Sequence, residues 1–230
     1  MKHYKEIRED IVRHVLDNII PQYAGFDPAH REDHAITVID QAIGLKDRME
    51  DWLDGQSEEE ASRWRIPVDR EMLFIAAAYH DLGLANGRER HHLDSGVIIR
   101  NDSRLREWFS EEQIETIAQA AEDHRASGKG EPRSIYGMIV AEADRVIDGE
   151  TIIRRTVQYG LTNYPDYCRE DQIVRSIEHL KEKYGRGGYL KLWIPWSDNA
   201  ARLSDLQNII ADAAAVFAAT ASEYDKLVKL

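Results

Sequence analysis

Cysteine is nearly absent from this chain. The single Cys168 closes no internal disulfide, and no thiolate zinc cluster can be built from it. Positive charge is also scarce: 30 lysines and arginines stand against 42 aspartates and glutamates, a formal net charge of −12. That balance argues against a nucleic-acid backbone or an anionic membrane as the main partner. It leaves room for a phosphorylated small molecule, because a bound metal ion outweighs the global sign locally. Long apolar runs are missing. The longest, Ala211 to Ala221, is short and interrupted by Asp212 and Thr220, so no membrane span is expected. The first residues, Met-Lys-His-Tyr-Lys-Glu, are charged where a signal peptide is apolar, and the expected location is the cytoplasm. Strand alternation bounded by hairpin turns is lacking, as is any repeat of fixed period. With 43% apolar and 31% charged residues the composition is otherwise that of an ordinary globular protein.

What the sequence does hold is helical spacing. Apolar positions from Ile7 to Ile20 predict a helix over 3–20 ended by Pro21, with His3 and His14 off its stripe and solvated. A second helix is expected from about His34 to Leu53, followed by a charged connection from Gly55 to Pro67. Asp69 is placed to cap the next helix, whose run Met72 to Tyr79 is too hydrophobic for a surface position. That helix ends in His80-Asp81, and Gly83 lets the backbone leave it. Further helices are expected over 92–100, from a Ser110–Gln113 capping box to His124, over 134–148, 151–160 and 170–183, and from about 198 or 204 to 230. The glycines and proline within Tyr184 to Trp196 interrupt the C-terminal third. The expectation is one all-α domain spanning 1–230, with the helices of 151–230 packed on those before them.

Six metal-capable side chains recur at intervals. His34 opens the second helix, His80 and Asp81 close the third, His92 opens the fourth, His124 closes the fifth, and Asp144 follows in Ala-Glu-Ala-Asp-Arg. Five of the six sit at helix ends, where antiparallel helices bring side chains to one end of a bundle. The competing reading of each is a polar network in the core, and for His92 and His124 a contact to substrate without ligation. His91 competes with His92, and His92 is preferred for its spacing to Gly96. His30 reads as a loop residue near the site, His179 as solvated and Cys168 as packing.

A His, then a His-Asp dipeptide, then a distant Asp resembles the HD superfamily of metal-dependent phosphohydrolases. The resemblance rests on Asp33-His34, Tyr79-His80-Asp81-Leu82-Gly83 and Ala143-Asp144-Arg145, with His92 and His124 in the register of two further histidines some members carry. It covers roughly residues 26 to 150. It implies a divalent metal, Mn, Fe, Co, Ni, Zn or Mg, one or two per chain, held by His34, His80, Asp81 and Asp144. His80, Asp81, His92 and His124 would be catalytic. Such N/O ligand sets suit first-row divalent ions and leave positions open for water. Phosphate charge would fall to Arg88, Arg90, Arg125 and Lys129, with Arg133 nearby, since Arg and Lys are the usual phosphate partners. Glu89, Asp94 and Glu142 are candidate proton donors, and the sequence does not choose among them. The expected activity is hydrolysis of a phosphoester or pyrophosphate bond, in a nucleotide or related small molecule, by a chain compatible with a homo-oligomer. The alternatives are a di-iron oxygenase of the same fold and a non-catalytic nucleotide-binding module.

Overall fold

The computed structural model describes residue 4, residues 6–125 and residues 130–229. Among them every regular element is helical, as the missing strand alternation predicts. No helix of the described residues is long and apolar enough to cross a membrane. The chain divides into two compact units. One comprises Met1–Arg145 with Trp193–Ser197, the other Val146–Leu192 with Asp198–Leu230.

The first unit contains α1 (Glu9–His14), α2 (Glu32–Asp54), α3 (Glu58–Trp64), α4 (Arg70–Tyr79), α5 (His91–Asn101), α6 (Glu111–Glu122) and α7 (Ile135–Asp144). Its axis is α4, which packs against α2, α6 and α7. All eight residues from Met72 to Tyr79 are buried, the signature of a helix surrounded by protein. Asp69 caps it as expected, accepting from the Glu71 and Met72 amides at 2.8 and 3.1 Å. Such a cap contributes about 1 kcal/mol. The capping box also forms: Ser110 Oγ accepts from Gln113 N–H, and Gln113 Oε1 accepts from Ser110 N–H. Helices α5 and α6 lie close because Gly96 sits against Glu122, where an added Cβ would be 2.3 Å from Oε1. Arg100 clamps the pair, its guanidinium reaching Glu115 at 2.7 Å and Glu122 at 2.5 Å.

The N-terminal helix departs from expectation. Residues 1–3 and 5, His3 with them, lie outside the described residues. The α1 helix gives way to a π turn at Val15–Ile19 and a 3-10 segment at Ile20–Gly25. The buried positions Ile7, Ile11, Val15, Ile19 and Tyr23 are four apart. On a regular helix that stripe drifts about 40° per step, and the wider π turn lets it keep facing inward. Pro21 does not end the segment; it lies in the first turn of the 3-10 stretch, where its missing N–H costs nothing. His14 is not solvated. Its Nε2 lies 2.8 Å from the Tyr79 hydroxyl, which donates to Asp102 at 2.7 Å. The charged connection also holds a helix, α3, capped by Ser57 onto the Glu60 amide.

The segment Trp193–Ser197 belongs to the first unit although it is distant in sequence. Its Trp196 is buried, donates its indole N–H to the Leu45 carbonyl at 2.8 Å, and packs tilted against Trp52 and edge-on to Trp64 at centroid distances of 5.0 and 5.2 Å. Glu142, fully buried, accepts the Trp193 N–H at 2.9 Å.

The second unit contains α8 (Gly149–Asn163), α9 (Arg169–Tyr184), α10 (Asn199–Ala211) and α11 (Ala213–Val228), each packed on the others. The expected C-terminal run is two helices, because Asp212 turns back to cap α11 through the Ala214 and Ala215 amides. Gln172 on α9 donates to the Tyr164 carbonyl at 2.6 Å, closing the end of α8. Arg154 reaches Glu223, and Arg169 holds Asp225 with two bonds. His179 is half-buried rather than solvated, and Cys168 is exposed rather than packed, its thiol 3.3 Å from Asp171.

Candidate metal centre

The end of α4 explains how two adjacent side chains face one point. On a continuing helix His80 and Asp81 would diverge by about 100°. Instead α4 stops at Tyr79, and Asp81 adopts φ −110° and ψ 4°. His80 folds back so that its Nδ1 meets the Ala77 carbonyl at 2.8 Å. The 3-10 stretch Leu82–Asn86 then carries the chain to the start of α5. Gly83 serves close approach rather than an unusual backbone angle: a Cβ there would lie 2.0 Å from the His91 carbonyl oxygen and 2.7 Å from the Ser95 nitrogen. The Gly83 N–H donates to Ser95 Oγ at 2.9 Å, seating the first turns of α5 against the dipeptide.

Two clusters result, and Asp81 belongs to both. The ligand atoms of His34, His80 and Asp81 lie within 4.8 Å of one another, as do those of Asp81, His91 and His124. In the first, His34 Nε2 is 3.6 Å from Asp81 Oδ2, 3.3 Å from Asp144 Oδ1 and 3.3 Å from His80 Nε2. His80 Nε2 is 3.3 Å from the same Asp81 oxygen. In the second, Asp81 Oδ1 faces His91 Nε2 at 3.4 Å and His124 Nε2 at 3.3 Å. His80, Asp81 and His124 are buried, while His34, His91 and Asp144 are partly open.

The donor atoms are arranged so that they could hold a metal ion. His80, His91 and His124 each hold a backbone carbonyl three residues earlier with Nδ1, at 2.8, 2.8 and 2.5 Å. A carbonyl can only accept, so each of these rings carries a proton on Nδ1 and turns its Nε2 toward the cluster. The Nε2 atoms of His91 and His124 thus meet at 3.2 Å. Two rings protonated on Nδ1 alone cannot hydrogen-bond in that way, and either a proton or a metal ion shared between the two nitrogens would satisfy both. The carbonyl partners are the outer-shell bonds that fix metal-binding histidines in other proteins. A set of imidazoles and carboxylates suits divalent first-row ions.

The electrostatics agree. Burial lowers the proton affinity of His34, but the Asp144 and Asp81 carboxylates more than reverse it, raising its pKa to about 9. Burial raises Asp81, yet the imidazoles of His80, His124 and His34 hold it well below the usual carboxylate range. Asp144 is likewise held low, burial being outweighed by His34, His80 and His124.

The structure brings together His34, His80, Asp81, Asp144 and His124. Of the adjacent pair it brings His91, not His92, to Asp81. The α5 helix begins at His91, one residue before the expected start, and Gly83 packs against that residue's carbonyl. His92 lies beside it, ring centroids 5.5 Å apart, with Nδ1 buried and unpartnered; burial and the neighbouring His124, Arg125 and His91 lower its pKa to about 4. Arg125 Nη1 donates to the Glu89 carbonyl at 2.5 Å, tying the end of α6 to the loop before α5. Arg88 is well exposed, 3.8 Å from Asp27, and Arg90 is exposed at the start of α5. Arg133 is occupied by Asp123 and Glu122. Lys129 lies outside the described residues. Glu142 is engaged with the Trp193 backbone, while Glu89 is exposed and Asp94 partly buried. His30 meets His34 edge-on at 5.6 Å and pairs with Asp27.

The sequence reading passed over Tyr23, whose hydroxyl donates to the Ala78 carbonyl at 2.9 Å and accepts from the Asp81 N–H at 3.3 Å. Its one local signal was its place in the four-residue stripe from Ile7.

The sequence pattern of the HD domain family matches residues 31–147, just over half of the chain. No curated protein and no solved structure matches it.

Proposed function

The chain belongs to the HD domain family, and on that footing we propose that it is a phosphohydrolase with two divalent metal ions, cleaving a phosphoester or phosphoanhydride bond in a nucleotide or related phosphorylated small molecule. The observation that carries this reading is the division of the Asp81 carboxylate: Oδ2 faces His34 and His80, and Oδ1 faces His91 and His124. Asp144 completes the first set. Bound divalent ions supply Lewis acidity toward a phosphoryl oxygen and lower the pKa of water to near neutrality. The protein's part is to hold six donors in place, three of them, His80, His91 and His124, through side-chain bonds to the backbone. His34, His91 and Asp144 are partly open, which puts the approach for substrate on their side. Arg125 stands close enough to lower the proton affinity of His91 and His92, and it is the cation best placed to meet a phosphate there. His92, neutral at physiological pH, offers an uncharged donor or acceptor beside it.

The test is a panel of phosphorylated metabolites offered to protein reloaded in turn with Mn²⁺, Fe²⁺, Co²⁺, Ni²⁺, Zn²⁺ and Mg²⁺, with phosphate release followed and Asp81→Ala as control. Turnover that vanishes in the control supports the reading. Metal uptake without hydrolysis of any member of the panel sinks it. The same six-donor set also suits a pair of irons acting as an oxygenase. Mixed-valent iron resonance in iron-loaded protein, with no phosphate release, would favour that second reading.

A further inference from the structure

Tyr23 lies upstream of the stretch that matches the family pattern, in the 3-10 segment after the π turn. It is fully buried, with its ring edge-on to Phe26 at 5.4 Å and 6.4 Å from the ring of His80. Its hydroxyl does two things at once, donating to Ala78 C=O and accepting from Asp81 N–H. Both partners are backbone groups that a continuing α4 would have satisfied itself. The Asp81 N–H would have met the Ala77 carbonyl four residues back. That carbonyl is taken by the Nδ1 of His80. Two buried backbone groups are thereby left for one phenol to satisfy.

We infer that Tyr23 is a positioning residue for the shared carboxylate: its hydroxyl fixes the backbone turn at His80-Asp81 so that Asp81 shows one oxygen to each pair of histidines. This rests on the two-metal reading of the centre. Without the hydroxyl, the Asp81 amide has no buried acceptor. The easiest remedy is to rotate the peptide toward Ala77, in competition with His80, which turns the carboxylate away from one cluster. Both ions depend on Asp81, so both bind more weakly. Loss of an outer-shell partner typically weakens metal binding or activity by 10–100-fold.

The fold supplies a matched control. Tyr136, buried on α7, accepts the Asp69 N–H at 2.7 Å, at the opposite end of the same α4 helix. Tyr23→Phe and Tyr136→Phe each delete one hydroxyl bonded to the α4 backbone; only the first touches the dipeptide. The experiment is a Co²⁺ titration of full-length wild-type, Tyr23→Phe and Tyr136→Phe protein, read by calorimetry and by the visible absorption of bound cobalt. Tyr23→Phe should bind about 10–100-fold more weakly, with an altered cobalt spectrum at saturation, and Tyr136→Phe should match wild type in both. Wild-type affinity and spectrum in Tyr23→Phe overturn the inference, as do equal losses in the two variants. If wild-type protein takes up no Co²⁺, it is the metal-centre reading that fails, and this inference with it. Should Tyr23→Phe not fold, 3,5-difluorotyrosine at position 23 keeps the ring and hydroxyl while weakening the oxygen as an acceptor. A shifted cobalt spectrum then supports the inference, and an unchanged one overturns it.

Discussion

Gly83→Ala is the sharpest perturbation of the centre that leaves every donor atom in the chain. The added Cβ would sit 2.0 Å from the His91 carbonyl oxygen, 2.7 Å from Ser95 N and 2.9 Å from Asp94 Cβ. Real Cβ contacts below 3.0 Å are essentially never seen, so the first turn of α5 must retreat by about 1 Å. Two of the three obstructing atoms are backbone, and no side-chain rotation relieves them. Overpacking of this kind costs about 1–3 kcal/mol. For a chain of this size each kcal/mol lowers the melting temperature by about 2–4 °C, so a fall of roughly 2–12 °C is expected. The consequence for metal is larger. Metal–ligand distances tolerate about 0.2 Å, and a 1 Å retreat carries His91 out of range while leaving His34, His80 and Asp144 untouched. The variant should therefore bind one ion where the wild type binds two. Calorimetric Co²⁺ titration counts the ions, and a thermal melt measures the stability cost. Two equivalents bound at wild-type affinity, with an unshifted melt, would refute both the packing role of Gly83 and the assignment of His91.

Three other outcomes follow from the same geometry. Asp81→Ala should abolish uptake of both ions, whereas Asp144→Ala should weaken only the His34 side, with activity partly restored by excess Mn²⁺; equal stoichiometries in the two variants would contradict a shared carboxylate. In metal-free protein, folded His34 keeps its proton up to about 9 while the unfolded chain sheds it near 6.5, so stability is full below 6.5 and lost as pH rises to about 9. Melting temperatures of chelator-treated protein should fall across that window, and a flat profile counts against the pairing of His34 with Asp144 and Asp81. Trp196→Phe removes the bond to the Leu45 carbonyl at a cost of about 1 kcal/mol, and should lower the melt without changing the metal count.

The parts legible in the sequence are those whose causes are local. Asp69 and Ser110 announce helix starts because a cap bonds within three residues of itself. His34, His80, Asp81, His124 and Asp144 are legible because each stands at or near a helix end in a recognisable order. Choosing His91 over His92 needs the helix start to within one residue, and that is set by α5 settling onto Gly83, a contact between elements. Tyr23 is invisible for the same reason: its partners, Ala78 and Asp81, are more than fifty residues away. The π turn at Val15–Ile19 answers a four-residue stripe that a helical template matches only approximately. The helix α3 hides in a charged run, where only Ala61 is buried to give it an apolar face.

The return of Trp193–Ser197 to the first unit bears on how the protein is made. All six donors have been synthesised by Asp144, yet the core around Trp52 and Trp64 still lacks Trp196. During translation the helices α8 and α9 emerge in between and can pair with each other first. The unit that carries the donors is thus closed late, by a segment made almost fifty residues after its last donor. A chain released from the ribosome before residue 193 would hold every donor on an unfinished core. Such truncated products, with that tryptophan core unsealed, would be open to proteolysis.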